Sequence, residues 1–496
     1  MYTMKKIIAI DQSTSATKAM LFNDRCEMLR RVNRDHKQYY PQPGWVEHDA
    51  IEIYNNAISA LRELLEGEDF AQNEYCLAIT NQRETVVVWD KTTGEPIQNA
   101  VVWQCMRGAD ICNRLKAEGY EPLVKDRAGL LIDPYFSASG VRWMLDNIEN
   151  AQERADKGEL LMGTIDTWLV WKLTGGKVHA TDYTNASRTM LMNIHKLEWD
   201  DDLLKMFRIP RSMMAELKPC DGDFGETTLE GILPLPIRIA GVLGDSHGAL
   251  AGQMCFEAGL GKTTYGTGSS VMVNIGEECP QEPPKGLVTS IGYAACGKVF
   301  YAFEGNIHAT GATLKWLQNQ LKMIDSPAEV EAEATSVEDN GGVYFVPAFA
   351  GLGAPWWNDK VKATVSGMTL ATTRAHFLRA ALESIAYQVN DLVQAMVKQA
   401  GVALKEMRVD GGPTKNSFLM QLQADCLRVP INCSDVEEAS ALGAVVMAGL
   451  HQGIWADFDE VQQLRKSKWT KQPQDNEEQI NIWVGGWHKA IEQMMR

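Results

Sequence analysis

Apolar residues fall into short runs separated by polar turns, and the first run, Ile7-Ile8-Ala9-Ile10, ends on Asp11. It leads through Gln12-Ser13-Thr14-Ser15-Ala16-Thr17-Lys18 directly into a second run, Ala19-Met20-Leu21-Phe22, which predicts a β-hairpin with a polar turn. An amphipathic helix is expected over 50–66, then a strand at Cys76-Leu77-Ala78-Ile79 and another at Thr85-Val86-Val87-Val88-Trp89, turned by Asp90-Lys91-Thr92-Thr93-Gly94. Helical patterning returns over 108–118 and 138–150. Such alternation predicts an α/β domain with helices packed on a sheet.

A second unit is expected from about residue 250. Thr263-Thr264-Tyr265-Gly266-Thr267-Gly268-Ser269-Ser270 runs into Val271-Met272-Val273, an echo of the opening hairpin in physical type rather than identity. Leu378, Leu382, Ile385, Val389, Leu392 and Met396 recur in steps of four and three, one stripe of a long helix for which Thr372 or Thr373 is the expected cap. The strand Met407-Arg408-Val409 ends in Asp410-Gly411-Gly412 before a helix from about Asn416, and Ala439-Ser440-Ala441-Leu442-Gly443-Ala444 reads as a helix start with room for close backbone packing. The charged stretch 465–478 reads as a surface connection. The expected domains are therefore 1–250 and 251–496.

Length and composition narrow the classes. The 496 residues exceed one ordinary core, and 45% hydrophobic with 23% charged residues match a soluble globular protein. A net charge of −16 with no long basic run argues against nucleic-acid binding. The ten cysteines are scattered without C-x-x-C, and no H-E-x-x-H occurs, which leaves zinc sites and disulfide frameworks unsupported and fits reduced thiols in a cytoplasm. No apolar run approaches membrane-spanning length and none resembles a secretion signal, so the expectation is cytoplasmic, without membrane insertion.

Three glycine/hydroxyl turns, around Thr14, Thr267 and Gly411-Gly412, are the candidate chemistry. Any one is cheaply explained as a tight connection. Two in opposite halves, each beside an apolar strand, suit a nucleotide clamped between domains. Turn N–H groups and hydroxyls hold phosphate oxygens, and a strand-end carboxylate such as Asp11 holds hydrated Mg²⁺. Gly259-Leu260-Gly261-Lys262-Thr263 is no P-loop, because Phe256 stands where that pattern requires glycine. Adjacent Arg83 and Glu84 are either an exposed pair or, together, donors and acceptors for vicinal hydroxyls. Trp103 and Tyr135 are either core aromatics or apolar faces for a polyol's carbon edges. Asp245, after the apolar stretch ending Val242-Leu243-Gly244, is either a helix cap or a general base at a strand end. His247 reads as structural.

Taken in order, these segments resemble the FGGY carbohydrate kinases, and most closely the branch that phosphorylates glycerol. The likeness is carried by Pro43-Gly44-Trp45-Val46-Glu47-His48-Asp49, Thr80-Asn81-Gln82-Arg83-Glu84-Thr85, Val102-Trp103-Gln104-Cys105 and Asp133-Pro134-Tyr135-Phe136. It continues through Asp166-Thr167-Trp168, Thr181-Asp182-Tyr183-Thr184-Asn185-Ala186-Ser187-Arg188-Thr189, Tyr265-Gly266-Thr267-Gly268, Gly351-Leu352-Gly353-Ala354-Pro355-Trp356 and Val409-Asp410-Gly411-Gly412. The resemblance implies two actin-like, ribonuclease H-like ATPase domains closing an interdomain cleft on MgATP and a small polyol. It implies that 1–250 binds polyol and carries the first phosphate hairpin, and that 251–496 binds nucleotide. By the same resemblance Asp11 helps hold Mg²⁺, and Thr14, Ser15, Lys18 and Thr267 serve the phosphates. Gly311, Lys315, Gly412 and Asn416 lie beside the nucleotide. Arg83, Glu84, Trp103, Tyr135 and Asp245 surround the acceptor, with Asp245 as the catalytic base. A homo-oligomer, dimer or tetramer, is expected.

The chain also departs from that branch. Ser246 stands where Gln usually follows the catalytic Asp, Ser270 replaces a wall Phe, Lys315 a nucleotide-side Gln, and Ser13 a turn glycine. Ser246 and Ser270 make the acceptor pocket larger and more polar. Glycerol is the favoured acceptor, with a longer polyol or ketose (a tetritol, a pentitol, a xylulose-like sugar) as the alternative. An actin- or Hsp70-like nucleotide-gated binding protein is the alternative from another class. The arginine-bearing loop that binds fructose 1,6-bisphosphate in some members is absent, since Leu229-Glu230-Gly231-Ile232-Leu233-Pro234 occupies its place.

Overall fold

The computed structural model describes residues 4–358 and 360–496. The opening hairpin forms between β1 (Met4–Gln12) and β2 (Ala16–Asn23), antiparallel, with Asp11 opposite Lys18. The apolar centre of β1 is fully buried, as expected of a central strand covered on both faces. β3 (Met28–Asp35) extends the hairpin outward, while β4 (Asn73–Asn81) lies parallel to β1 on its other side. β5 (Glu226–Thr227) and β6 (Ile237–Gly244) complete a six-stranded sheet of order β5-β6-β4-β1-β2-β3. Helix α1 (Ala50–Leu64) packs on it; Asp49 caps the helix by accepting from the Ile51 and Glu52 amides. The predicted strand at 85–89 forms as Val86–Asp90 but belongs to a separate four-stranded sheet, paired with Leu160–Thr164.

Helix α2 (Asp245–Gly252) leads to the second sheet. Its strands are β7 (Leu260–Tyr265), β8 (Ser269–Gly276), β9 (Val288–Ala295), β10 (Lys298–Ile307), β11 (Glu406–Gly411), β12 (Ile431–Ser434) and β13 (Ser467–Lys471). The order is β9-β10-β8-β7-β11-β12-β13. A hairpin (β7–β8) beside a parallel neighbour (β11) repeats the β1–β2–β4 arrangement, so the echo between the two polar turns reflects duplicated architecture. β13 is a correction: 465–478 is not merely a surface connection, because its alternating segment pairs with β12 at the sheet edge.

Among the helices of the second half, α3 (Gly311–Asn319) follows β10, and α4 (Arg374–Ala400) is the long helix. Thr373 caps α4 in a reciprocal box with His376, and the stripe from Leu378 to Met396 is buried. α5 (Ser417–Leu427) is capped by Asn416. α6 (Ala439–His451) belongs to the second half in sequence yet packs on α2 and on the first sheet. That crossing depends on small residues: a Cβ on Gly443 would stand 2.1 Å from the Gly248 carbonyl oxygen, and one on Gly252 would meet the Ala439 carbonyl at 1.9 Å.

Candidate active site

The acceptor side begins where β4 ends. The chain turns through Gln82, Arg83 and Glu84, the last left-handed at φ 63°, and both charged side chains enter the interior. A buried ion is tolerated only when paired. Arg83 donates from Nη1 and Nη2 to the two carboxylate oxygens of Glu304 on β10, each at 2.8 Å. Glu304 also lies 2.9 Å from Nη1 of Arg188, whose Nε donates to Glu84 at 2.6 Å. Burial opposes ionisation of Glu304, but Arg188 and Arg83 outweigh it and hold its carboxyl well below the usual range. Burial pushes Glu84 the other way, upward, although Arg83 and Arg188 resist.

This network revises one expectation. Arg83 is not a free guanidinium fork, because each terminal nitrogen already spends one N–H on Glu304, although each keeps a second N–H. Its Nε lies 3.1 Å from Asp245 Oδ1 without an aligned hydrogen bond. Glu304 and Arg188 carry no assignment in the sequence reading. The available signal was a carboxylate within the apolar run of β10, which must find a buried cation.

Asp245 opens α2, but it is not the cap; Gly244 holds that position, and no side chain caps the helix. Asp245 Oδ1 accepts from the Ser246 amide at 2.6 Å and its side chain is 37% exposed, so it faces the cleft. Glycine is required at 244, where a Cβ would lie 2.5 Å from Arg83 Cγ. His247 is fully buried, and burial drives its pKa well below the ordinary value, which fits a neutral structural ring.

Trp103 and Tyr135 pack edge to face with centroids 5.5 Å apart, and Trp103 Nε1 donates to Thr14 Oγ1 at 3.0 Å. The aromatic wall is thus fastened to the phosphate hairpin. Thr14, Arg83, Glu84, Trp103, Tyr135, Asp245, Ser246 and Ser270 all line one cavity of about 450 Å³, together with Asn306 and His308. Ser270 Oγ is bonded to the buried Lys262 ammonium at 2.9 Å.

A second cavity, of about 540 Å³, gathers Thr267, Gly311, Lys315, Gly412 and Asn416 around Leu314, Leu382 and Leu419. It joins apolar walls to a turn rich in backbone donors, the composition a nucleoside phosphate needs. Gly311 begins α3 against the turn, where a Cβ would meet the Gly266 carbonyl at 2.6 Å. Ser15 lies exposed at the hairpin tip and lines neither cavity.

Lys18 departs from its expected place among the phosphate ligands. Its ammonium lies 2.7 Å from Glu438 and 3.4 Å from Asp11, tying the hairpin to the start of α6. Burial raises the Asp11 carboxyl to about 6, with Lys18 pulling it down and Glu438 and Asp245 adding to the rise. A buried carboxylate pressed by two neighbouring carboxylates and countered by one lysine fits a divalent cation. Among the described residues no group of three His, Cys, Asp or Glu side chains could hold a metal by itself.

Two duplicated ribonuclease H-like lobes, each opening on a hairpin with a hydroxyl-rich turn beside a polar cavity, mark the sugar-kinase-like class. The chain matches the models of the FGGY family of carbohydrate kinases, the N-terminal domain over residues 6–252 and the C-terminal domain over 261–451, and it belongs to that family. It is 49% identical over 490 residues to glycerol kinase 1 of Thermotoga maritima, covering 99% of each chain. It is 47% identical over 491 residues to a glycerol kinase of a Geobacillus species, again 99% of each. The glycerol kinase of Plasmodium falciparum, solved with ADP, superposes with a TM-score of 0.94 at 36% identity over 100% of this chain and 99% of that one. A gluconate kinase from Lactobacillus acidophilus shares the fold, at a TM-score of 0.90 and 18% identity over 99% and 98% of the two chains. Among the described residues no helix is long and apolar enough to cross a membrane.

Proposed function

We propose that the protein transfers the γ-phosphoryl group of ATP to a terminal hydroxyl of glycerol, giving glycerol 3-phosphate and ADP. The observation that carries this reading is the shared cavity, in which Asp245 and the Arg83–Glu84 turn lie with Thr14 of the first hairpin and Gly268–Ser270 of the second. Residues 1–250 supply the acceptor pocket and first phosphate hairpin, and 251–496 the nucleotide pocket.

Asp245 accepts the proton of the attacking hydroxyl as its oxygen bonds to the γ-phosphorus, and the bond to the ADP oxygen breaks in line. Arg83 Nε and the free oxygen of Glu84 orient the remaining hydroxyls, and Tyr135 and Trp103 cover the carbon edge. Thr14 and Thr267 donate to phosphate oxygens, while Lys315, Gly311, Gly412 and Asn416 border the nucleoside. Asp11 would hold Mg²⁺, which supplies charge neutralisation on the phosphates when bound. Positioning and electrostatic stabilisation then account for most of the acceleration. The setting is a cytoplasmic homo-oligomer, which light scattering tests.

Coupled ADP release with MgATP and glycerol is the test. Glycerol-dependent turnover that falls by roughly 10²–10⁴ in Asp245→Asn, with nucleotide binding retained, supports the reading. ADP release indifferent to every polyol and sugar overturns it and favours a nucleotide-gated binding protein.

A further inference from the structure

The cavity wall formed by the second sheet carries polar groups that a reaction on glycerol leaves unused. Along β10, Glu304 and Asn306 alternate onto one face, His308 follows just past the strand's end, and Ser270 of β8 stands opposite Asn306 in the antiparallel register. Glu304 is consumed by Arg83 and Arg188. Asn306 and His308 instead stand exposed on the cavity, with no side-chain hydrogen bond among the described residues. Ser246, beside Asp245, lines the same space.

Size and chemistry agree. Glycerol displaces roughly four waters of about 30 Å³ each, a small part of a cavity of about 450 Å³. The groups at the reacting end are bunched, Arg83 Nε and Asp245 Oδ1 being 3.1 Å apart. Asn306 and His308 lie on the wall contributed by the second sheet, so a molecule touching them as well as Asp245 spans more of the cavity than one held at Asp245 alone. Amide and imidazole each offer a donor and an acceptor, as hydroxyls require. The charges of Arg83 and Arg188 are already paired with Glu304 and Glu84, which suits a neutral polyol better than an anionic acceptor.

We infer that Asn306, His308, Ser246 and Ser270 form a second hydroxyl-binding subsite, through which the enzyme phosphorylates a tetritol or pentitol as well as glycerol. The inference rests on the polyol-kinase reading above. Its test is coupled ADP release with glycerol, erythritol, threitol, ribitol and xylitol for the native protein, Asn306→Ala, His308→Ala and Ser270→Phe. The quantity read is the ratio of kcat/KM for the best longer polyol to that for glycerol, so that the amount of folded enzyme cancels. In the native protein this ratio is expected within about tenfold of unity; each lost hydrogen bond lowers it roughly three- to tenfold. Ser270→Phe, which fills the space, lowers it further. Turnover of glycerol alone, or a ratio unmoved in all three variants, overturns the subsite and leaves the kinase reading standing. Absence of turnover with every polyol, glycerol included, overturns both.

Discussion

Glu304→Gln isolates the least expected feature of the site, the ion network joining the two lobes. The substitution keeps volume and one carbonyl oxygen but removes the charge. In the native protein this carboxylate receives both Arg83 terminal nitrogens at 2.8 Å and Arg188 at 2.9 Å, and Arg83, Arg188 and Glu304 are all buried. With Gln, the two guanidiniums are left with Glu84, which reaches Arg188 at 2.6 Å but Arg83 only at 4.0 Å, and with the part-exposed Asp245, 3.1 Å from Arg83. Breaking a buried pair on one side costs about 3–5 kcal/mol. Some of that loss should reach function, because Arg83 is otherwise free to leave Asp245; a share of about 2.7 kcal/mol is a hundredfold in kcat/KM for the acceptor. The KM for ATP should change little. The assay pairs urea unfolding, followed by tryptophan fluorescence, with steady-state kinetics in both substrates. The sign with pH is fixed by the depressed carboxyl of Glu304. Its contribution is fully present above the unfolded value near 4.3 and is lost as pH falls through the lower folded value. The stability gap between native and variant should therefore be flat from pH 8 to 6 and close only in strong acid. A variant as stable as the native protein at pH 7, with acceptor kcat/KM within twofold, would refute the reasoning.

Three further outcomes follow from other parts of the molecule. Asp11→Asn should abolish turnover yet stabilise the nucleotide-free protein at pH 8 by up to about 2 kcal/mol. Burial raises this carboxyl to about 6, so the native charge is a burden above that pH, and the gap should vanish near pH 4 in paired unfolding curves. Gly443→Ala should destabilise by about 1–3 kcal/mol despite the better helix former, because its methyl meets the Gly248 backbone rather than a movable side chain; denaturation at pH 7 decides it. Fructose 1,6-bisphosphate should leave turnover unchanged, since Glu230 is turned to Tyr54 with an oxygen-to-oxygen distance of 2.8 Å and the segment offers no arginine; a dose–response curve with inhibition would contradict this.

Much was legible locally. Continuous apolar runs located β1 and β2, the α4 stripe lies buried as its spacing required, and Asn416 and Thr373 cap where short polar side chains precede apolar periodicity. These features depend on contacts within a few residues, which a linear pattern encodes. The polar turns and strand-end carboxylates of the candidate site were legible too, because they announce themselves by composition, whereas the roles proposed for them came from the family resemblance. What could not be read were pairings across large sequence separation. Arg83 meets Glu304 from the other lobe, Lys18 meets Glu438, Trp103 meets Thr14, and α6 seats itself on the first sheet. A buried charge announces that it needs a partner, but the choice among many distant carboxylates is made only when the sheets are placed. The sequence by itself therefore determined the elements and the hydroxyl-rich turns, and left Asp245 open between helix cap and general base. Tertiary structure alone decided that Arg83 belongs to Glu304 and Lys18 to Glu438, since ion pairing in a dry interior is set by proximity in space and leaves no trace in local order.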